Sequence, residues 1–408
     1  MKNLYLISII FIFIFINILS TDTFGGNVRR LGEAGASELL INPWTRSAGL
    51  ADANAACVVG LDALYQNVAG LSFTKKLDIG FTHTQYLVPS GIMLNNGGFA
   101  FRVGKEKLGV LAVGVMNMHW GEIAVTTNEQ PDGTGATFSP SYTVITLGYA
   151  REFSNSIHGG IAVKVINENI ATLSSTGVCF DAGIQYVSGL GRNKNGERNR
   201  DNLRFGISLK NVGTTMKYRG DGTAFYGISP ETPEGSHQMT LSHRSQEFEL
   251  PSLIKIAVAY DFKFWTKNSS TSRLNSESPV IDNGEDAEEA PQYVCYHKLT
   301  LAGTFTANSF TNDQFHLGLE YGFKNILFLR AGYMYEAGLI SVQKTSDGKK
   351  YWTSESASTA MLGPTAGVSL QWPFNKEKGS VIAVDYTYRF TTGSTFRGIH
   401  MFGLRVEL

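Results

Sequence analysis

The chain is poor in cysteine, proline, charge and long apolar runs. Its three cysteines, Cys57, Cys179 and Cys295, are far apart and odd in number. That excludes a disulfide framework and a cysteine metal centre, and leaves buried or lipid-facing thiols as the expectation. Charged residues make up 17% of the 408 positions, against roughly 25% in soluble domains. Thirty-five Lys and Arg balance thirty-five Asp and Glu. A nucleic-acid binder would show a basic excess, so no nucleic-acid partner is expected. Past Leu19 no apolar run approaches the length of a spanning helix. Catalytic signatures are also missing. There is no Gly-x-Ser-x-Gly elbow, no His-Glu-x-x-His and no phosphate-binding loop, and the eight histidines are scattered. Neither enzymatic activity, a cofactor nor a metal is expected.

Glycine and aromatic side chains are plentiful, with 44 Gly, 25 Phe and 17 Tyr. Together with low charge and only 11 Pro, this is the composition of a membrane β-barrel with aromatic girdles. The pattern agrees. Over Arg397 to Leu408, Phe402, Leu404, Val406 and Leu408 alternate with Gly403, Arg405 and Glu407. A period of two marks a strand with one apolar and one polar face. Such a strand stays adhesive unless both edges are paired, which a barrel achieves by closing the last strand on the first.

About fourteen such segments follow from Leu77 onward, an even number as single-chain bacterial barrels require. Their spans are 77–87, 97–103, 108–118, 141–151, 157–167, 176–187, 203–213, 251–262, 296–307, 314–323, 326–336, 359–372, 379–390 and 397–408. Alternation is cleanest in the second half. Leu327, Leu329, Ala331, Tyr333 and Tyr335 oppose Phe328, Arg330, Gly332 and Met334. Charged residues are costly against lipid, so Arg204, Lys255, Lys298, Glu320, Arg330, Asp385 and Arg389 are placed in the lumen. Lys164, Lys210, Asp261, Arg405 and Glu407 join them, and Glu320, Arg330 and Asp385 can form a cross-strand ladder.

The remainder gives three divisions. Met1–Ser20 reads as a cleaved signal peptide, with Lys2 ahead of an apolar run. Residues 21–73 do not alternate and are rich in Gly and Ala, which suits an N-terminal plug packed inside the lumen. The barrel fills 74–408, with long connections at 119–140, 214–250, 263–295 and 337–358. Loop residues Leu87, Val88, Ile92, Met93, Phe225, Tyr226, Tyr351 and Trp352 are candidates for docking a partner, since exposed apolar loops need a reason. These readings place the protein in the outer membrane, surrounded by lipid, with its C-terminus in the periplasm.

Within the plug stand Trp44-Thr45-Arg46-Ser47-Ala48-Gly49-Leu50, then Asp62-Ala63, then Asn67-Val68-Ala69-Gly70-Leu71. This pattern resembles the PorV/PorQ family of type IX secretion barrels, themselves similar to FadL-type channels. Arg46, Gly49, Asp62, Asn67, Ala69, Gly70 and Leu71 occupy the motif positions, while Val68 stands where the family has Pro and Ala51 where a second Gly is usual. The resemblance implies a plugged fourteen-stranded barrel that binds a translocon subunit or secreted cargo, without enzymatic activity. The competing reading is a FadL-like channel for hydrophobic small molecules. A channel requires an apolar pocket under the first and fourth outer connections, 88–96 and 214–250, and a lateral opening near the plug, and an adaptor requires a filled lumen with an exposed, shaped rim. A general porin would lack the plug.

Overall fold

The computed structural model describes residues 30, 32–104, 108–192, 198–228, 238–267, 293–337, 340–344, 350–354, 359, 361–375, 380–391 and 396–408. The leader expected over 1–20 and most of the acidic stretch 263–295 lie outside them.

Fourteen long strands form the main sheet. They are β1 Leu77–Tyr86, β2 Ile92–Arg102, β3 Val110–His119, β4 Ser141–Ser154, β5 Ile157–Ile170, β6 Leu173–Ser188 and β7 Leu203–Gly213. The second half is β8 Leu253–Lys267, β9 Tyr293–Asn308, β10 Gln314–Phe323, β11 Leu327–Glu336, β12 Gly363–Asn375, β13 Ser380–Arg389 and β14 Ile399–Glu407. Each pairs antiparallel with its neighbours in sequence, and β14 closes on β1 from Asp78 opposite Glu407 to Gln85 opposite His400. A two-residue piece, Arg219–Gly220, adds to the start of β6. The result is a closed barrel with no free edge in the main ring.

Two expected boundaries move furthest. Strand β2 begins at Ile92, not Gly97, so Ile92 and Met93 belong to a strand and not to the first connection. Strand β8 runs on to Lys267 and β9 starts at Tyr293, which shortens the connection expected over 263–295 to 268–292. Three of the longer connections carry small hairpins of their own, at Ile123–Ala124 with Thr137–Phe138, Ala224–Ile228 with Gln238–Ser242, and Ile340–Lys344 with Lys350–Ser354.

The outward faces are apolar. Phe81 is 51% exposed, Leu147 55%, Ile161 60% and Leu404 51%. Exposed apolar area on this scale is unfavourable in water and is the surface that a bilayer covers. Aromatic side chains sit toward its edges, with Phe153, Trp372 and Phe374 near one rim and Tyr333 and Phe390 near the other. Both are marks of a lipid-embedded barrel.

The buried faces meet the N-terminal segment, Ala34–Phe73. It consists of short helical turns at Ser37–Leu40, Thr45–Gly49, Gly60–Asp62, Ala63–Gln66 and Val68–Phe73. Its start lies at the mouth that carries the 214–252 connection, where Ala34 bridges to Glu249 and Arg30 pairs with Glu249 at 2.6 Å. Thr74 then leads into β1 at the opposite mouth.

Two kinds of contact hold it. Against β2–β6 the contact is mainly apolar: Leu61, Leu64, Val68 and Leu71 share one cluster with Leu94, Met116, Val144 and Ile166, and Gln185 on β6 adds a bond to Val58 O at 3.0 Å. Against the rest of the barrel, strand side chains donate to its backbone carbonyls. Thr304 reaches Ala53 O at 2.8 Å, Thr365 reaches Gly49 O at 3.1 Å, Thr387 reaches Thr45 O at 2.8 Å and Ser208 reaches Gln66 O at 3.0 Å. A segment with little regular structure leaves many carbonyls unpaired, and buried carbonyls must find donors. Inward-facing glycines let it approach so closely. A Cβ on Gly332 would stand 2.5 Å from the Leu50 carbonyl carbon, and one on Gly206 would stand 2.6 Å from Ala55 O. A Cβ on Gly148, Gly160, Gly183 or Gly318 would meet the same segment closer than 3.0 Å.

Candidate functional site

The motif residues of the N-terminal segment are tied into this packing. Asn67 accepts from the Ala69 amide at 3.2 Å, capping the turn that follows. Its Nδ2 donates to Ala55 O and to Ile184 O, both at 3.0 Å, joining two parts of the segment to β6. Asp62 is buried and accepts from Ser47 Oγ at 3.3 Å. Arg46 Nε lies 4.0 Å from Glu320 Oε2. Gly49 offers its carbonyl to Thr365, and Gly70 packs where a Cβ would collide with Val58 O. Ala69 and Leu71 are fully buried.

Most of the lumen charges fall into four groups, with Arg405 pairing separately with Glu407 at 3.3 Å and Lys210 donating to Tyr65 O. Arg330 Nε donates to Glu320 Oε2 at 2.7 Å, and Ser369 bridges Arg330 to Asp385. Arg204 and Lys298 approach Asp261 at 3.1 and 3.6 Å. Lys164 pairs with Asp181 at 2.6 Å and donates to Asn211 at 2.9 Å, at a bulge where β6 and β7 change register. Arg389 pairs with Asp52 at 2.9 Å, and Asp52 also accepts from Asn42 at 2.7 Å and Gln66 at 2.8 Å. Lys255 completes that group by donating to Gln66 Oε1 at 2.6 Å. Ions without water need such partners, because Coulombic attraction and hydrogen bonds must offset desolvation.

Sequence reasoning missed Asp52, Asp181 and Gln66. A signal was available for Asp52. It is a lone charge among Ala48, Gly49, Leu50, Ala51 and Ala53, and a buried carboxylate requires a cation.

Above the Asp52 group lies a cavity of about 280 Å³. The Ser37–Leu40 turn and Ile41 form one wall, and Tyr86, Leu253, Met334 and Met361 contribute apolar surface. Lys210, Lys255 and Arg389 line it against one carboxylate, Asp52. Tyr86 ends β1 beneath the first outer connection and Leu253 opens β8 beneath the fourth, so the cavity lies under both, and its lining mixes apolar side chains with Asn42, Thr306, Asn308, Gln314 and His316.

The residues expected to dock a partner do not form one surface. Leu87 and Ile92 pack against the interior cluster. Met93 sits on the outward face of β2, 44% exposed. Val88 is held by backbone bonds to Gly398 and Arg397 at 2.9 and 2.8 Å. Phe225 stacks on His243 at 4.5 Å, and Tyr226 is exposed beside it. Tyr351 and Trp352 are placed by backbone in the Lys350–Ser354 strand, and their side chains lie outside the described residues. Among the described residues, no group of three or more His, Cys, Asp or Glu could hold a metal ion.

No family model matches the chain, and no curated protein matches it. Among solved structures it is similar to the toluene transporter TodX of Pseudomonas putida. The identity is 11%, the match covers 86% of this chain and 94% of that one, and the TM-score is 0.45. A Pseudomonas aeruginosa FadL homologue is 11% identical, over 89% of this chain and 97% of that one, with a TM-score of 0.44. CdiB from Acinetobacter baumannii is 10% identical, over 81% and 60%, with a TM-score of 0.34. At such values no ligand or role passes from these proteins to this one. The expectation of a PorV/PorQ adaptor of type IX secretion is corrected. The similar structures named here include a hydrocarbon transporter and a FadL homologue, none of them a type IX secretion barrel, and the expected docking residues are spread over interior, wall and loops.

Proposed function

We propose that the protein is an outer-membrane channel for small hydrophobic or amphipathic molecules, with Ala34–Phe73 as its plug. The cavity under the first and fourth connections carries this reading. Its apolar side chains suit a short hydrocarbon body. Its three cations facing one carboxylate favour a ligand whose head is anionic. The plug closes the way below it, so passage requires the segment to shift within the barrel. In this orientation three of the four long connections face outward, and 268–292 lies with the C-terminus on the periplasmic side, a departure from the usual asymmetry of bacterial barrels.

The test is equilibrium binding of dodecanoate, with dodecanol as the uncharged match, to the barrel in lipid nanodiscs. Saturable binding of dodecanoate, weaker for dodecanol and lost in Met334→Asp, is the expected result. Equal partition of both into empty and loaded discs refutes the reading.

A further inference from the structure

The cavity beneath the first and fourth connections holds more positive charge than its own carboxylate offsets. Lys210 on β7 and Lys255 on β8 line it. Leu253 stands opposite Lys210 in the ladder, so Lys255, two residues on, is a diagonal neighbour on the same inward face. Long side chains in that relation come within reach of one another, and like charges there repel. Both lysines are buried, Lys210 5% and Lys255 8% exposed. Each ammonium ends on an uncharged oxygen of the plug. Lys210 donates to Tyr65 O, with the Tyr65 ring centre 5.6 Å away, and Lys255 donates to Gln66 Oε1 at 2.6 Å. Neither is in an ion pair among the described residues. By contrast, Lys164, Arg204, Lys298, Arg330 and Arg405 each pair with a carboxylate. Arg389 also lines the cavity, and its partner Asp52 is the one carboxylate among the described lining residues.

Buried ammoniums without a counter-ion are unfavourable, and two of them beside a cavity call for two negative charges from what enters it. A carboxylate brings one charge and two oxygens. A phosphate monoester brings about two charges near neutral pH and three free oxygens. Those oxygens can meet both ammoniums and the Arg389 guanidinium at once. We propose that the preferred ligand of this cavity is an amphiphile with a phosphate monoester head. Lys210 and Lys255 hold the head, Arg389 supports it, and the hydrocarbon body lies against Leu253, Met334 and Met361. This inference rests on the channel reading and narrows the class of its ligand.

The test is equilibrium binding of dodecyl phosphate, methyl dodecyl phosphate and dodecanoate to the barrel in lipid nanodiscs at about pH 7.5, where the monoester is doubly charged. The methyl ester keeps the phosphorus and the chain but carries a single charge. Dodecyl phosphate should bind about tenfold more tightly than either monoanion, and the preference should shrink severalfold in Lys210→Met and in Lys255→Met. A second measurement needs no ligand. Lys210→Met removes a charge that has no counter-ion, whereas Lys164→Met strands Asp181. The urea midpoint for compact gel migration should therefore stay well above that of Lys164→Met. Equal binding of dodecyl phosphate and its methyl ester, a preference unchanged in both variants, or a Lys210→Met midpoint as low as that of Lys164→Met overturns this proposal, while saturable dodecanoate binding leaves the channel reading standing. Failure of all three compounds to saturate overturns both.

Discussion

Substituting Gly332 by leucine tests whether the N-terminal segment closes the lumen. A Cβ at position 332 stands 2.5 Å from the Leu50 carbonyl carbon and 2.6 Å from the Ala51 nitrogen. Ordinary carbon contacts need about 3.5–4.0 Å, so one of the two backbones must move by roughly 1 Å before the rest of the leucine is placed. Strand β11 is fixed by ladders on both sides, to β10 and β12. The segment is the weaker party, held here by His316 to Ala51 O at 2.7 Å and Thr365 to Gly49 O at 3.1 Å. Losing both bonds costs about 2 kcal/mol, and overpacking adds about 1–3 kcal/mol. Such a sum can dislodge a segment while leaving the barrel closed. The matched control is Gly303→Leu, where the nearest atom to a new Cβ is in the Leu317 side chain at 3.7 Å. Single-channel current in planar bilayers is the assay. Gly332→Leu should show long-lived openings, and the wild type and Gly303→Leu should not. Silent Gly332→Leu channels, in a barrel shown to be folded, refute the argument that this contact keeps the lumen shut.

Arg330→Met leaves Glu320 with only the distant Arg46, at 4.0 Å, and takes from Asp385 its paired cation. A loss of about 3–5 kcal/mol follows, read as an earlier urea midpoint for compact gel migration, with Glu320→Gln in the same chain restoring part of it. A midpoint no earlier than that of Leu329→Ala counts against the pairing. Asn67→Ala removes the cap of the Val68–Phe73 turn and its ties to Ala55 and Ile184. Limited proteolysis should then cut within 34–73 at rates at which the wild type stays intact. Lys164→Met strands Asp181 at the bulge between β6 and β7. Destabilisation of about 3–5 kcal/mol is expected, and Asp181→Asn alongside it should recover much of that in the same gel assay.

The strands were legible because a barrel wall imposes a period of two on each of them. They were clearest where the lumen side is polar. In β10 and β11, His316, Glu320 and Arg330 face inward to meet carbonyls and partner charges, so they contrast with Leu319 and Leu329 outside. In β2 the inward face carries Leu94 and Ala100 against the N-terminal cluster. Both faces are then apolar near the mouth, and alternation fades over Ile92-Met93-Leu94. That is why the strand start was misplaced. The site was less legible. Arg389 and Lys255 could be placed in the lumen from register, but their partners Asp52 and Gln66 come from a segment with no period. A count of charges against apolar neighbours singles out Asp52, and nothing in the sequence marks the uncharged Gln66. The inward glycines carried a further unread signal. Gly148, Gly206, Gly318 and Gly332 mark the height at which something must pass close to the wall.

The carbonyl contacts also bear on how the barrel acquires its shape. Ring closure joins Ile79 to Val406, two ends of a sheet more than three hundred residues apart in the chain. Such distant pairings are slow to find, because the entropy of a long loop is lost before any contact rewards it. A segment that offers Thr45 O to β13, Gly49 O to β12, Ala53 O to β9 and Gln66 O to β7 gives each strand a common mandrel. The first part of the chain thereby sets the girth and roundness of the wall that later surrounds it.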